Sequence, residues 1–239
     1  MSIATEITRI KTAKADIKSA IEEKGVEVGD GTIDTYAKKI GEISGVGNNP
    51  LEYAVGLREV YRWVSFQEGY EITLNVPNIT VAYQTFRDVK GLKKLKLKGN
   101  EGNRVVEIYG FLWSSDVQTL DLTEFNAKVG NAQYMCNYCT DLESILGEID
   151  FSECTNVGSA FYRCDNLVTL TPKANTIKLS ISFASSSKLS DLSIQSIIDG
   201  LADLTGGTQQ TLTLHSKSGV KLTEEQKTTI TAKNWELVY

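Results

Sequence analysis

Five copies of one apolar pattern recur between residues 86 and 192 of this 239-residue chain. The copies start at Phe86, Phe111, Cys136, Phe161 and Phe183, which are spaced by 25, 25, 25 and 22 residues. The apolar residues six positions later are Leu92, Val117, Leu142, Leu167 and Leu189, and those nine positions later are Leu95, Leu120, Ile145, Leu170 and Leu192. This pattern predicts a repeat protein in which each copy leaves an apolar face for the next copy to cover.

The repeat period and its apolar spacing are typical of leucine-rich repeats, which are roughly 20 to 29 residues long. Three stretches, "LDLTEF" (120–125), "YMCNYCTDLESI" (134–145) and "IDFSECTNVGSAFYRCDNLVTL" (149–170), resemble the BspA type of leucine-rich repeat. The resemblance covers about residues 72–195. It implies an α/β solenoid with a short parallel sheet, and a role in adhesion rather than a shared reaction.

One strand is expected in each of the first four copies, near residues 95–97, 120–122, 145–147 and 170–172. The strand edge is expected to be less regular in the two middle copies, where Gly147 and Pro172 replace an apolar residue. Residues 51–84 are expected to cap the first copy. A helix at 192–207, a strand at 211–214, a helix at 222–234 and a strand at 235–239 are expected to form a βαβ-like cap over about 191–239. Thr223 and Gln226 fit a capping box.

The first 43 residues form a separate helical segment in this interpretation, followed by a linker at 44–50. A heptad pattern predicts a helix over residues 3–24, and its apolar seam consists of Ile3, Ile7, Ile10, Ile17 and Ile21. Isoleucine at both seam positions favours three or more strands, so we expect a homo-oligomer, preferably a trimer. An amphipathic helix that packs on its own chain is the alternative. A second short helix is expected at 33–43, and the repeat domain is expected to span 51–239.

Residues 4–43 resemble the N-terminal segment of tail-fibre and other virion proteins of phages and prophages. No signal peptide, membrane span or wall anchor is recognisable in the sequence. The resemblance therefore implies that the protein is made in the bacterial cytoplasm, attaches to other virion proteins through this segment and is located on the virion. The net charge of −5 argues against nucleic acid as a partner.

Residues for catalysis or metal binding are sparse. Cys136 and Cys139 fall in the repeat register and are better explained as small buried residues than as half of a zinc site. His215 is the only histidine and follows a predicted strand, so a surface position is expected. The recurring aspartates Asp121 and Asp150 fit tight turns. We therefore expect no enzymatic activity, no cofactor and no metal.

The exposed face of the predicted sheet is the candidate binding face, because residues eight and ten positions after each start flank a buried one. Its candidate residues are Lys94, Lys96, Thr119, Asp121, Ser144 and Thr169. The lysine-rich stretch 93–99 is explained equally well by an anionic ligand and by a solvated strand edge.

The expected function is that of a tail-fibre or receptor-binding type of virion appendage, whose repeat domain binds a host-surface protein or glycan. A structural head-fibre, collar or baseplate component is one alternative, and a bacterial surface adhesin is another.

Overall fold

The computed structural model describes residues 61–239 together with Thr12, Ala15, Lys18, Ser19 and Glu22, all five of which are helical. The chain divides into two units, residues 1–53 and 54–239, and only the second is described here in detail. The isoleucine seam, the helix at 33–43 and the linker at 44–50 lie outside the described residues. Within the first unit, Lys18 and Glu22 form an ion pair of 3.9 Å, as two residues one helical turn apart can.

Parallel strands form the main sheet of the second unit. These are β1 (Ser65–Asn75), β2 (Lys90–Gly99), β3 (Thr119–Phe125), β4 (Ala127–Lys128), β5 (Ser144–Asp150) and β6 (Thr169–Pro172). Strands β1, β2, β3, β5 and β6 pair in chain order, and β4 pairs with β5. The four predicted repeat strands are confirmed, and so is their parallel pairing.

The predicted apolar positions form the core. All five starting residues are buried, as are the five residues that follow six positions later. The backbone hydrogen bonds, however, place the start of the second copy at Leu112 rather than at Phe111. The N–H of Phe86 donates to the carbonyl of Phe111 in the second copy. The equivalent bond from the second copy to the third is made by the N–H of Leu112, which donates to the carbonyl of Met135. The loop before Leu112 is one residue longer than in the other copies and the segment after it is one residue shorter.

Adjacent copies also contact each other away from the sheet. Isolated parallel bridges join Val81 to Glu107, Val106 to Val129 and Asn131 to Asn156. A third set of bonds joins the turns that precede the strands, where every second residue donates its N–H to the next copy. The first four copies are thereby held to one another at the strand, at the bridge and at the turn.

The fifth copy departs from the predicted pattern. Leu192 lies nine positions after the start of this copy, a position that is buried in the other copies, but it is 83% exposed. It lies in helix α1 (Asp191–Gly200), which confirms the helix expected from residue 192, although the helix ends at Gly200 rather than at residue 207. Ser190 caps this helix by accepting the N–H of Ser193, which favours a helix at this point. The hydroxyl of Ser193 in turn accepts the N–H of Leu170 at 3.0 Å, so the start of α1 satisfies part of the β6 edge.

The C-terminal cap contains a second, three-stranded parallel sheet. Its strands are β7 (Ile181–Phe183), β8 (Gln210–Leu214) and β9 (Trp235–Val238), in that order. Two helices, α2 (Ser216–Gly219) and α3 (Glu224–Ala232), lie between β8 and β9 in the chain. The strands predicted at 211–214 and 235–239 are confirmed, and so is the capping box of Thr223 and Gln226.

The fold is thus an α/β fold built mostly of parallel sheet with few helices. Across the described residues, no helix combines the length and apolar character needed to cross a bilayer.

Candidate binding surface

The predicted binding face contains one row of aligned side chains. Lys94, Thr119, Ser144 and Thr169 stand directly opposite one another on four adjacent strands. All four are half-buried. The structure therefore brings these predicted residues together, and Lys96 pairs with Asp121 in the next row.

Asp121 was expected to be exposed, and this prediction is wrong. The residue is 4% exposed, and its carboxylate lies 2.9 Å from the Lys94 ammonium. The hydroxyl and the backbone N–H of Thr123 donate to the same carboxylate at 2.6 and 3.1 Å. Asp121 can be buried because these groups compensate its negative charge.

Four of the five lysines of β2 contact carboxylates, and Lys93 is the one that forms no ion pair among the described residues. Lys96 and Lys98 both contact Glu124, with a distance of 2.8 Å for Lys98. At the start of the strand, Lys90 contacts Asp116 at 2.6 Å. These pairs leave little free positive charge for an anionic ligand, so the lysine-rich stretch is better explained as an ion-paired, solvated part of the sheet.

The bonds that Thr123 and Lys94 make to Asp121 cause the free energy of unfolding to depend on pH. Burial acts to raise the pKa of Asp121, but the bonds from Thr123 and Lys94 outweigh it and lower the pKa from 3.8 to about 2. A lowered folded-state pKa contributes stability that is present above about pH 4 and is lost as the pH falls toward 2. We expect Asp121→Asn to remove this contribution of about 2 kcal/mol, which urea unfolding at pH 7 and pH 2 measures.

The wild-type advantage over Asp121→Asn should therefore shrink by about 2 kcal/mol between these two pH values. Asp203→Asn is the matched control, because Asp203 also accepts bonds from a threonine two residues later but lies at an exposed position. If the free energies of unfolding of wild type and Asp121→Asn differed by the same amount at both pH values, the pH-dependent stability could not be assigned to the Asp121 carboxylate.

A second surface is formed by the turns that precede the strands, which we call the turn column (residues 61–64, 83–88, 109–114, 133–138 and 158–163). Its backbone has left-handed φ angles at two positions in most copies. They are Gln84 and Asp88, Gly110 and Ser114, Tyr134 and Tyr138, and Ser159 and Arg163, together with Trp63. Only one of these nine residues is glycine, although a positive φ costs other residues roughly 1–2 kcal/mol.

Hydrogen bonds between copies hold these left-handed residues in place. Trp63, Asp88, Ser114 and Tyr138 each donate their N–H to the next copy at 2.8–3.0 Å. A bulky residue with positive φ is a backbone outlier, and such residues concentrate at functional sites. The turn column therefore presents large side chains from a backbone that neighbouring copies fix.

Aromatic side chains are concentrated on the turn column. It carries five of the ten tyrosines and two of the three tryptophans at positions that point away from the core. We call these seven residues the aromatic strip: Trp63, Tyr83, Tyr109, Trp113, Tyr134, Tyr138 and Tyr162. The most exposed are Trp63 at 66% and Tyr138 and Tyr162 at 48% each.

One cluster of the strip spans the first copies. Tyr83 stacks on Tyr109 at 4.8 Å, Tyr109 meets Tyr134 edge-on, and Tyr134 stacks on Trp113 at 5.0 Å. The Arg87 guanidinium lies 4.0 Å from the centre of the Trp113 ring. Burial, together with the neighbouring tyrosines, raises the pKa of Tyr109. Its phenol therefore stays neutral at ordinary pH.

Asp88 connects this cluster to Trp63. Its carboxylate accepts the indole N–H of Trp63 at 3.0 Å and the Arg87 Nε–H at 3.1 Å. These bonds orient both side chains and pair the charge of Arg87 with that of Asp88. The strip is thus a preorganised surface with rings fixed by their neighbours.

A second cluster lies further along. Tyr138 and Tyr162 meet edge-on at 5.4 Å, and Arg163 lies 6.0 Å from the Tyr138 ring while contacting Asp165 at 3.2 Å. Aromatic pairs of this kind are worth about 0.5–1.5 kcal/mol beyond the area they bury. The sequence contained a signal for this surface, because Tyr83, Tyr109 and Tyr134 recur at nearly the repeat period, but the apolar pattern alone did not reveal it.

The cysteines and the histidine that the sequence singled out have structural roles. The thiols of Cys139 and Cys164 donate to backbone carbonyls of the preceding copy at 3.0 and 3.1 Å, and both residues are buried, as is Cys136. Burial raises the pKa of Cys136 and Cys164. His215 caps α2, where its Nδ1 accepts the N–H of Lys217. Nowhere in the described part of the chain do three potential His, Cys, Asp or Glu ligands gather around a common point.

Comparison with protein-family models, with curated proteins and with solved structures gave no match.

Proposed function

We propose that this chain is a non-enzymatic phage or prophage virion appendage, in which a leucine-rich repeat solenoid of the BspA type binds the host surface through the aromatic strip. The observation that carries the proposal is the concentration of tyrosine and tryptophan on the turn column. The location on a virion rests on the resemblance of residues 4–43 to virion proteins.

The composition and rigidity of the strip support a binding role. Tyrosine, tryptophan and arginine are enriched in interfaces and at the residues that dominate binding energy. Because the rings are already held by stacking and by Asp88, little conformational entropy is lost when a partner binds. The strip is therefore better suited to recognition than the sheet face, whose lysines are paired with carboxylates of the same chain.

The N-terminal segment supplies attachment and multivalency in this proposal. An isoleucine seam that joins three chains would place three copies of the strip on one appendage. Linked sites convert weak single contacts into high avidity without any new contact. A surface with no deep pocket can therefore still retain a particle on a cell.

Adsorption of the full chain to bacterial cell-envelope preparations tests the proposal. We expect the combined substitution of Trp63, Tyr138 and Tyr162 by alanine to weaken adsorption at least about ten-fold, because exposed aromatic residues dominate binding energy. The matched control substitutes Thr119, Ser144 and Thr169 by alanine and should adsorb like the wild type. Loss of adsorption only in the control would move the binding site to the sheet face, and failure of the wild type to adsorb to any envelope would contradict a receptor-binding role.

A further inference from the structure

A cleft at the end of the aromatic strip has a volume close to that of a cavity that holds one six-membered ring. Its volume is about 140 Å³, and its lining residues are Ser159, Phe161, Tyr162, Ser182, Ala184 and Ser185. An apolar cavity of about 150 Å³ accommodates a benzene molecule. We propose that this cleft binds one hexose unit of a neutral glycan, with the sugar ring stacked on Tyr162.

The absence of charge in the cleft indicates a neutral ligand. None of its six lining residues is acidic or basic, because they are three serines, an alanine, a phenylalanine and a tyrosine. Two larger depressions on the sheet differ in this respect, because one is lined by Asp116 and Lys93 and the other by Asp150 and Lys173. The nearby cation of Arg163 is paired with Asp165. None of the lining residues therefore offers a positive charge to an anionic polymer.

The aromatic part of the cleft is fixed in position. Tyr162 is 48% exposed, and Tyr138 holds it from the side at an interplanar angle of 76°. Phe161 is buried and stacks on Phe183 at 5.0 Å, which gives the cleft a rigid floor. A half-exposed ring on a rigid floor can stack on the apolar face of a pyranose without rearrangement.

The polar part of the cleft matches sugar hydroxyls. Ser159, Ser182 and Ser185 contribute hydroxyl groups, each of which can both donate and accept hydrogen bonds. The Ser182 hydroxyl accepts the N–H of Ala184 at 3.4 Å, so its own proton remains for a ligand oxygen. One ring with three flanking hydroxyls is a pattern in which a few polar groups fix the orientation of a stacked ligand.

This inference rests on the proposed binding role of the strip and deepens it by naming the ligand class. An NMR titration of the full chain with hexasaccharides of glucan, mannan and galactan tests it, with hyaluronan oligosaccharide as the anionic comparison. We expect one neutral glycan to shift the amide signals of Ser159, Tyr162, Ser182 and Ser185, and hyaluronan to leave them unchanged. Tyr162→Ala should weaken binding about ten-fold, while Tyr162→Phe, which keeps the ring, should stay within about two-fold.

The amide spectrum of each variant also reports whether the variant is folded, and Ser182→Val provides a second, smaller perturbation of the same cleft. Undiminished binding by folded Tyr162→Ala, or no shift with any neutral glycan, would overturn the inference. If envelopes adsorb through the strip while no neutral glycan shifts the cleft, only the inference fails. If glycans bind the cleft but no envelope adsorbs the protein, the proposed function fails instead.

Discussion

Trp235→Ala is expected to lower the free energy of unfolding by roughly 3–5 kcal/mol. Trp235 is 1% exposed and is the largest fully buried side chain of the described residues. Its indole N–H also donates to the carbonyl of Ala202 at 2.9 Å, which ties β9 to the segment after α1. Removal of the side chain leaves a cavity and an unpaired carbonyl at once. Urea denaturation followed by far-UV circular dichroism measures the loss.

Trp235→Phe separates the two contributions. It retains most of the buried apolar volume but removes the indole donor, so we expect a loss of about 1–3 kcal/mol.

The two residues before Trp235 also close the cap, which explains the sequence "KNW" at 233–235. Lys233 Nζ donates to the carbonyl of Leu201 at 2.7 Å, and the Asn234 amide donates to Leu204 and Gly207 at 3.0 and 3.1 Å. A loss below about 1 kcal/mol for Trp235→Ala would show that this closure does not stabilise the cap.

Gly147→Ala is expected to cost about 3 kcal/mol, from backbone strain and from steric overlap. Gly147 has a φ of +87°, and a Cβ there would lie 2.7 Å from the carbonyl carbon of Leu122 in the adjacent strand. The pairing register of β5 with β6 shifts between Ser144 and Glu148, which is a β-bulge or irregularity around this glycine. Unfolding in urea reports the combined cost.

Gly206→Ala is the matched control for Gly147→Ala. Gly206 has a similar φ of +79°, but nothing lies within 4 Å of the position that a Cβ would take. Its substitution should therefore cost only the backbone strain, roughly 1–2 kcal/mol. The excess cost at Gly147 measures the close approach of the two strands, and equal costs would contradict this interpretation.

The apolar repeat pattern was sufficient to predict the main sheet. Leu95, Leu120, Ile145 and Leu170 are all buried, because a position that must be covered by the next copy tolerates little besides an apolar residue. The buried position was not reproduced in the fifth copy, where Leu192 is 83% exposed and lies in α1, the helix expected from residue 192. Ser190 caps this helix, so the residue that matches the buried strand position of the other copies is a solvent-exposed helix residue.

The candidate sites were less predictable than the sheet. The buried state of Asp121 depends on Lys94 from the preceding copy, a pairing that becomes visible only once the strand register is known. The turn column was missed because left-handed backbone is usually recognised in a sequence by glycine, whereas here Tyr134 and Tyr138 adopt it. Hydrogen bonds from neighbouring copies support these conformations, and single-copy patterns do not show them.

Hydrogen–deuterium exchange of the full chain, free and bound to an envelope preparation that retains it, shows which surface binds. If the aromatic strip binds the envelope, we expect added protection in the turn column, at residues 134–138 and 158–163, with little change at residues 92–96 and 119–121 of the sheet face. Added protection confined to the sheet strands would contradict the assignment of binding to the aromatic strip.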